Sequence, residues 1–374
     1  TIPTKLIQRI ETISIGGAPI YGADAIAGTV NINLRNDYEG LDVDGQVGIS
    51  QRGDLGNQRV RLLAGKNFAD GRGNITVNVE YNHDDGLLGN KREIIRRQLG
   101  FIAPAPGTSP FNQILVENTR TYLGTPAGIP FIRDAARLVP ATAGGTTSVV
   151  RNAAGQILGF DRNSNLVPFN IGTPTQDPTT FLGGDNLNFA DITNARVKDD
   201  RFNAVALAKF DFSDRITAFG EAWYSRNKAT NLAGQPVYNT AFFSASGPGA
   251  FDVNGNFIIP LNNPFLTPQA RALIVQNLTA AGLPAGDTDV FYLGRANTDL
   301  VSGVARLDQE MYRFVGGLRG VFSLGERVFN WEVSANYGRT NSRSSQPSLV
   351  EPNLRRALNA GFDANGNIVC LPFN

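Results

Sequence analysis

His83 and Cys370 are the only imidazole and the only thiol in 374 residues, and that scarcity bounds the chemistry open to the chain. Acyl transfer asks for a nucleophile, a base within hydrogen-bond reach and a third group that orients the base. One His, one Cys and singly scattered carboxylates supply no such set, so the chain is not expected to be an enzyme. Structural zinc needs several Cys and His ligands and is excluded on the same count. Cys370 has no second cysteine to form an internal disulfide. His83 closes a strand-like run and is expected to be solvated.

A repeated phrase offers a third kind of chemistry. Asp161, Asn163 and Asn165, then Asp252, Asn254 and Asn256, then Asp363, Asn365 and Asn367 each follow a Phe and precede apolar residues and a Pro. The spacing matches the opening of a calcium loop. Position six, however, holds Leu166, Phe257 or Ile368 where such a loop turns on Gly, and no Glu stands at position twelve. Asn-Gly between apolar runs is instead a strong hairpin signal, so three small hairpins are expected, with no metal and no cofactor.

The charges that could meet a solute are Arg59, Arg61, Glu80, Lys209, Glu221, Arg313, Arg319 and Glu332. Each falls on the polar phase of a segment that alternates with period two, the mark of a strand with two unlike faces. Seven such segments lie between about Val43 and Arg343. The clearest sets Val43, Val47 and Ile49 against Asp44, Gln46 and Ser50; Ile75, Val77, Val79 and Tyr81 against Asn74, Thr76, Asn78 and Glu80; and Phe329, Trp331, Val333 and Tyr337 against Asn330, Glu332, Ser334 and Asn336. Alternation alone fits a soluble sandwich as well as a barrel.

The connections separate the two. Ala69 to Gly73, Ser213 to Arg215 and Leu324 to Arg327 are tight turns. Between them run 84–200, 229–304 and 344–374, far longer than compact soluble domains tolerate. Outer-membrane barrels carry short turns on one rim and long loops on the other. Aromatic residues give a second ruler. Phe68, Phe210, Phe212, Phe322, Phe329 and Trp331 crowd the short-turn ends, and Tyr81, Phe202, Tyr224, Tyr312 and Tyr337 follow roughly ten residues away along the strands. At about 3.3 Å per residue and a tilt near 40°, that spacing rises about 25 Å, the height of a lipid-facing band. Antiparallel, all-β transmembrane barrel strands are the expectation.

With 34 basic against 33 acidic residues, nothing recruits nucleic acid. No apolar run approaches the roughly 18 residues of a spanning helix. The chain starts at Thr1 with no export-signal pattern, so its compartment must be argued from elsewhere. Inside the connections, Thr267 before Pro268 and helical apolar spacing to Leu278 predict a capped helix, and a second is expected over 353–360.

Residues 1–40 read differently: Arg9, Ile10 and Glu11 in one run, then Gly16, Gly17 and Ala18, then Tyr21, Gly22 and Ala23 through Gly28, then Val30, Asn31 and Ile32, with Tyr38, Glu39 and Gly40 before the first barrel segment. In order and spacing this resembles the C-terminal end of the plug domain of TonB-dependent outer-membrane receptors. Many members have Arg-Gly-Pro at Gly16 to Ala18, and that Arg helps latch plug to barrel. Arg9 and Glu11 are the nearby substitutes, or else they pair with each other or with solvent. Tyr21, Gly22 and Gly28 read as fold-keeping.

The resemblance implies an α+β plug end (1–40) before about seven strands (41–374) of a 22-stranded barrel in the outer membrane of a Gram-negative bacterium. It also implies import of an iron chelate, a vitamin or an oligosaccharide, driven by a TonB complex pulling on the plug. The eight charges above would then face the lumen, and outer-membrane lipid would face the apolar phase. The chain is expected to be a fragment lacking the TonB-contacting segment, and Cys370 is implied to have a disulfide partner beyond it. A passive porin and a surface β-rich adhesin remain as alternatives.

Overall fold

The computed structural model describes residues 2–14, 28–121, 125–132, 149–176, 180–232 and 257–372, which are mostly antiparallel strand. The chain divides into two compact units. A sheet unit holds Thr1–Leu87, Arg196–Asn231 and Ala305–Ser345. A loop unit holds Leu88–Ala195, Leu232–Val304 and Gln346–Asn374.

In the sheet unit, β1 (Ile7–Ile13) pairs with β2 (Thr29–Leu34). A seven-stranded meander follows: β3 (Gly40–Gly48), β4 (Asn57–Phe68), β5 (Gly73–Asp84), β6 (Lys198–Ser213), β7 (Ile216–Leu232), β8 (Val304–Leu324) and β9 (Arg327–Ser345). Each strand neighbours the next in sequence, and β3 and β9 form the edges of an open sheet among the described residues. The three tight turns lie at one rim. Register places Asn57, Asp84 and Asp199 side by side at the other, where the long connections depart.

The strands overrun the expected segments. β8 is 21 residues long and starts at Val304, where the connection 229–304 ends, so it runs well beyond the alternating residues that begin near Gln309 and Tyr312. The added stretch carries Asp308 and Glu310, which bond Arg226 and Tyr224 on β7. Ladder hydrogen bonds need no apolar face, so pairing continues past the last alternating residue.

The loop unit builds a core of its own. Val150, Leu158, Phe257, Leu261, Ile274, Leu278 and Phe291 are buried in one cluster. Helix α1 (Pro268–Ala280) is organised as its sequence predicts: Thr267 Oγ1 accepts the Ala270 N–H at 3.2 Å, and Ala270, Ile274 and Leu278 form the buried stripe. Two side-chain amides on α1 tie it to neighbouring backbone. Gln269 both accepts from and donates to Leu166 (2.9 and 2.8 Å), and Asn277 does the same with Arg151 (3.0 and 2.9 Å). Helix α2 spans Glu351–Leu358 rather than 353–360. Pro352 suits its first turn, and Ala360 is taken up in pairing with Cys370.

Candidate functional site

Register sorts every residue of the meander onto one of two faces. Arg59 stands opposite Asn82, Arg61 opposite Glu80, Lys209 opposite Asn74, Glu221 opposite Leu207 and Arg319 opposite Glu332. Arg313 Nη1 lies 3.7 Å from Glu221 Oε2, and the Arg319 guanidinium sits 5.6 Å from the Phe219 ring centre. All eight charges singled out by spacing therefore share one face. Along it Asn74, Thr76 and Asn78 are fully buried. Thr76 donates to Asn74 at 2.8 Å, and Asn74 donates to the Tyr38 carbonyl at 2.9 Å. Asn78 Oδ1, Glu80 Oε2 and Asn82 Nδ2 are buried without a protein partner among the described residues. Water or a polar solute would satisfy them.

The N-terminal segment is seated on this same face. Leu6 is 0% exposed against Leu63, Val205, Leu207 and Trp223. Lys5 reaches Asp42 at 2.6 Å, and Arg61 holds Asp44 at 2.7 Å while donating to Thr4 Oγ1 at 3.0 Å. A Cβ at Gly65 would run into the Tyr38 carbonyl, so glycine there lets the segment lie against the sheet. The four apolar contacts of Leu6 were not singled out from sequence. Their signal is an apolar run in both phases, Leu62 to Ala64 and Ala204 to Ala208, where alternation fails because the face that is elsewhere polar turns apolar beneath Leu6.

Arg9 and Glu11 take the second of their two expected roles. Arg9 Nε donates to Glu11 Oε1 at 2.6 Å, and Asn31 donates to the other oxygen at 3.2 Å, all exposed on the β1–β2 pair. The Arg9 guanidinium, helped by Asn31, holds the Glu11 carboxyl below its usual range. Gly28 has φ +127°, and a Cβ there would stand 2.8 Å from the Ile13 carbonyl. Gly16, Gly17, Tyr21 and Gly22 lie outside the described residues.

The opposite face is apolar and uncovered. Val43, Val60, Phe314, Val333 and Tyr337 are all more than half exposed. Its rings form two rows: Phe68 with Phe210, Phe210 with Phe212 and Phe322 with Phe329 near the tight turns, and Phe202 with Tyr224 and Tyr224 with Tyr312 towards the far rim. Val77, Ala206 and Trp331 are only partly buried, and the one core cluster that includes this sheet draws on its polar face.

His83 corrects its expectation. It is not free in solvent: Nδ1 lies 2.6 Å from Asp200 and Nε2 3.0 Å from Asp85, because pairing puts Asp200 directly opposite it. The calcium-like phrases are turns. Asp161 Oδ1 accepts the N–H groups of Asn163 and Asn165 between the paired stretches Leu158–Phe160 and Leu166–Pro168, and Asp363 does the same with Asn365 and Asn367. The phrase at Asp252 lies outside the described residues. No group of three metal-ligating side chains occurs among the described residues, and Cys370 is an exposed free thiol.

No family model and no curated protein matches the chain. Among solved structures, the siderophore receptor PiuA from Acinetobacter baumannii aligns with a TM-score of 0.29 and 14% identity, over 98% of this chain and 38% of that one. The chain thus spans under two fifths of the length of that structure.

Proposed function

We propose that the chain forms the plug end and the first barrel strands of a TonB-dependent receptor in the outer membrane of a Gram-negative bacterium. The observation that carries this reading is the inversion of the meander: exposed apolar residues between two aromatic rows on one face, buried amides and ion pairs on the other. Hydrocarbon as solvent on one side and a hydrated lumen on the other accounts for both. The segment around Leu6 would belong to the plug end, residues 1–40, held to the lumen wall through Lys5 and Arg61.

In this reading the whole protein imports a nutrient such as an iron chelate, a vitamin or an oligosaccharide, and catalyses no bond chemistry. A TonB complex supplies force to the plug. Arg59, Arg61, Glu80, Lys209, Glu221, Arg313, Arg319 and Glu332 line the path and contact plug or solute.

Facing is tested by single cysteines in a Cys370→Ser background. In bilayers, Val333→Cys should react with a lipid-soluble maleimide and resist a membrane-impermeant one, and Arg319→Cys should do the reverse. Equal labelling of Val333→Cys by the impermeant reagent would sink the reading. Import itself is tested in cells carrying the full-length protein, where uptake should vanish when TonB is deleted. Solute flux that persists without TonB would identify a passive channel instead.

A further inference from the structure

The loop unit contains a cleft of about 990 Å³, at the upper end of the roughly 300–1,000 Å³ typical of small-molecule sites. Its floor is the edge of the loop unit's own core, with Phe160 and Phe291 tilted against each other at 6.4 Å between ring centres and Leu293 beside them. Phe265 stands on its rim with 64% of its surface exposed. An apolar pocket with an uncovered aromatic ring at its mouth suits a flat or branched hydrocarbon body.

The polar groups in the wall are almost all committed. Asp161 is taken by the backbone of its turn, and Asn263 accepts from Phe265 and donates to Leu358. Arg295 pairs with Asp299 through Nη2, but its Nε is buried without a hydrogen-bond partner among the described residues. Arg162 lines the cleft with no ion pair or hydrogen bond among the described residues. Asp161 and Asp299 in the same wall are each engaged through Oδ1, by the turn backbone and by Arg295, and the two guanidinium groups keep donor capacity that suits an acceptor-rich anion.

We infer that this cleft binds a small amphipathic anion, an aromatic or branched apolar body bearing a carboxylate, sulfonate or phosphate that faces Arg162 and Arg295. The site is complete within the loop unit and goes beyond the import reading, on which it does not depend.

The test is calorimetric titration of the full chain in lipid nanodiscs with 2-naphthoate, and with neutral 2-naphthylmethanol for comparison. The expected result is saturable one-to-one naphthoate binding, with the alcohol weaker by about tenfold or more, or about 1.4 kcal/mol. Ala357→Trp, an exposed position that would fill the cleft, should abolish binding, and Arg162→Glu should remove the preference for the anion. Far-ultraviolet circular dichroism keeps either loss from being read as misfolding. Absence of saturable binding, or binding unchanged in Ala357→Trp, would overturn the site. Equal affinity for acid and alcohol would overturn its anionic character. TonB-dependent uptake is measured separately and is untouched by either failure.

Discussion

The two units of this chain follow opposite rules of burial. The sheet unit hides Asn74, Thr76 and Asn78 and leaves Val43, Val333 and Tyr337 open; the loop unit hides Leu261, Ile274 and Phe291 behind polar turns. A water-soluble domain sorts side chains as the loop unit does. Under the proposed reading the two patterns in one chain answer to two solvents, and the lesson is that a residue's burial must be read against what surrounds its unit.

The comparison can be broken most sharply at its strongest point. Phe291→Ala should cost the loop unit roughly 3–5 kcal/mol through lost contact and a cavity. The measurement is a lowered denaturant midpoint for proteolysis within Leu88–Ala195, with the sheet unit unaffected; loss in both units together would merge what is drawn here as separate. Val333→Arg comes next. Val333 is 68% exposed and lies midway between Phe329 and Tyr337. In water such a change falls within about 0.5 kcal/mol, whereas at the centre of a bilayer it should cost about 2–4 kcal/mol. Folding titrations into lipid vesicles distinguish the two.

A smaller effect sharpens the loop side. Thr267→Ala removes the cap of α1 and should cost about 1 kcal/mol, seen as faster amide exchange over its first turn. The smallest is a matter of pH. The side chain and backbone of Asn367, then other backbone N–H groups of the turn, hold the Asp363 carboxyl below its usual range. A depressed folded pKa means the turn's stabilisation is present above the ordinary aspartate value and is lost only as pH falls through the folded one. An NMR titration of Asp363 should show its midpoint below that of a free aspartate, and an ordinary midpoint would show the turn open.

Much of the sheet unit was legible because its periodicity is long. Segments of ten or so alternating residues fixed the facing of Arg61, Glu80 and Glu332 and the two aromatic rows. The hairpins at Asp161 and Asp363 and the cap at Thr267 were legible because each is a local exchange of hydrogen bonds within a few residues. The bonds that Asp308 and Glu310 of β8 make to Arg226 and Tyr224 were not, since both acids interrupt the apolar phase while the ladder continues. Nor was the loop core or its cleft. Phe160, Phe291 and Ala357 come from separate connections, and strands of three to five residues such as Leu158–Phe160 and Val290–Gly294 are too short to show a period.

The seat beneath Leu6 has a mechanical meaning. Leu6 itself rests on Leu63, Val205, Leu207 and Trp223, and beside them stand Asn74, Thr76 and Asn78 in a row, with Arg61 at the side. Lifting the segment would expose the apolar contacts of Leu6, but the amides beside them can exchange a carbonyl such as that of Tyr38 for a water molecule with little net loss. In the receptor proposed above, such a seat would combine an apolar anchor at rest with a wetted flank along which a pulled segment could slide.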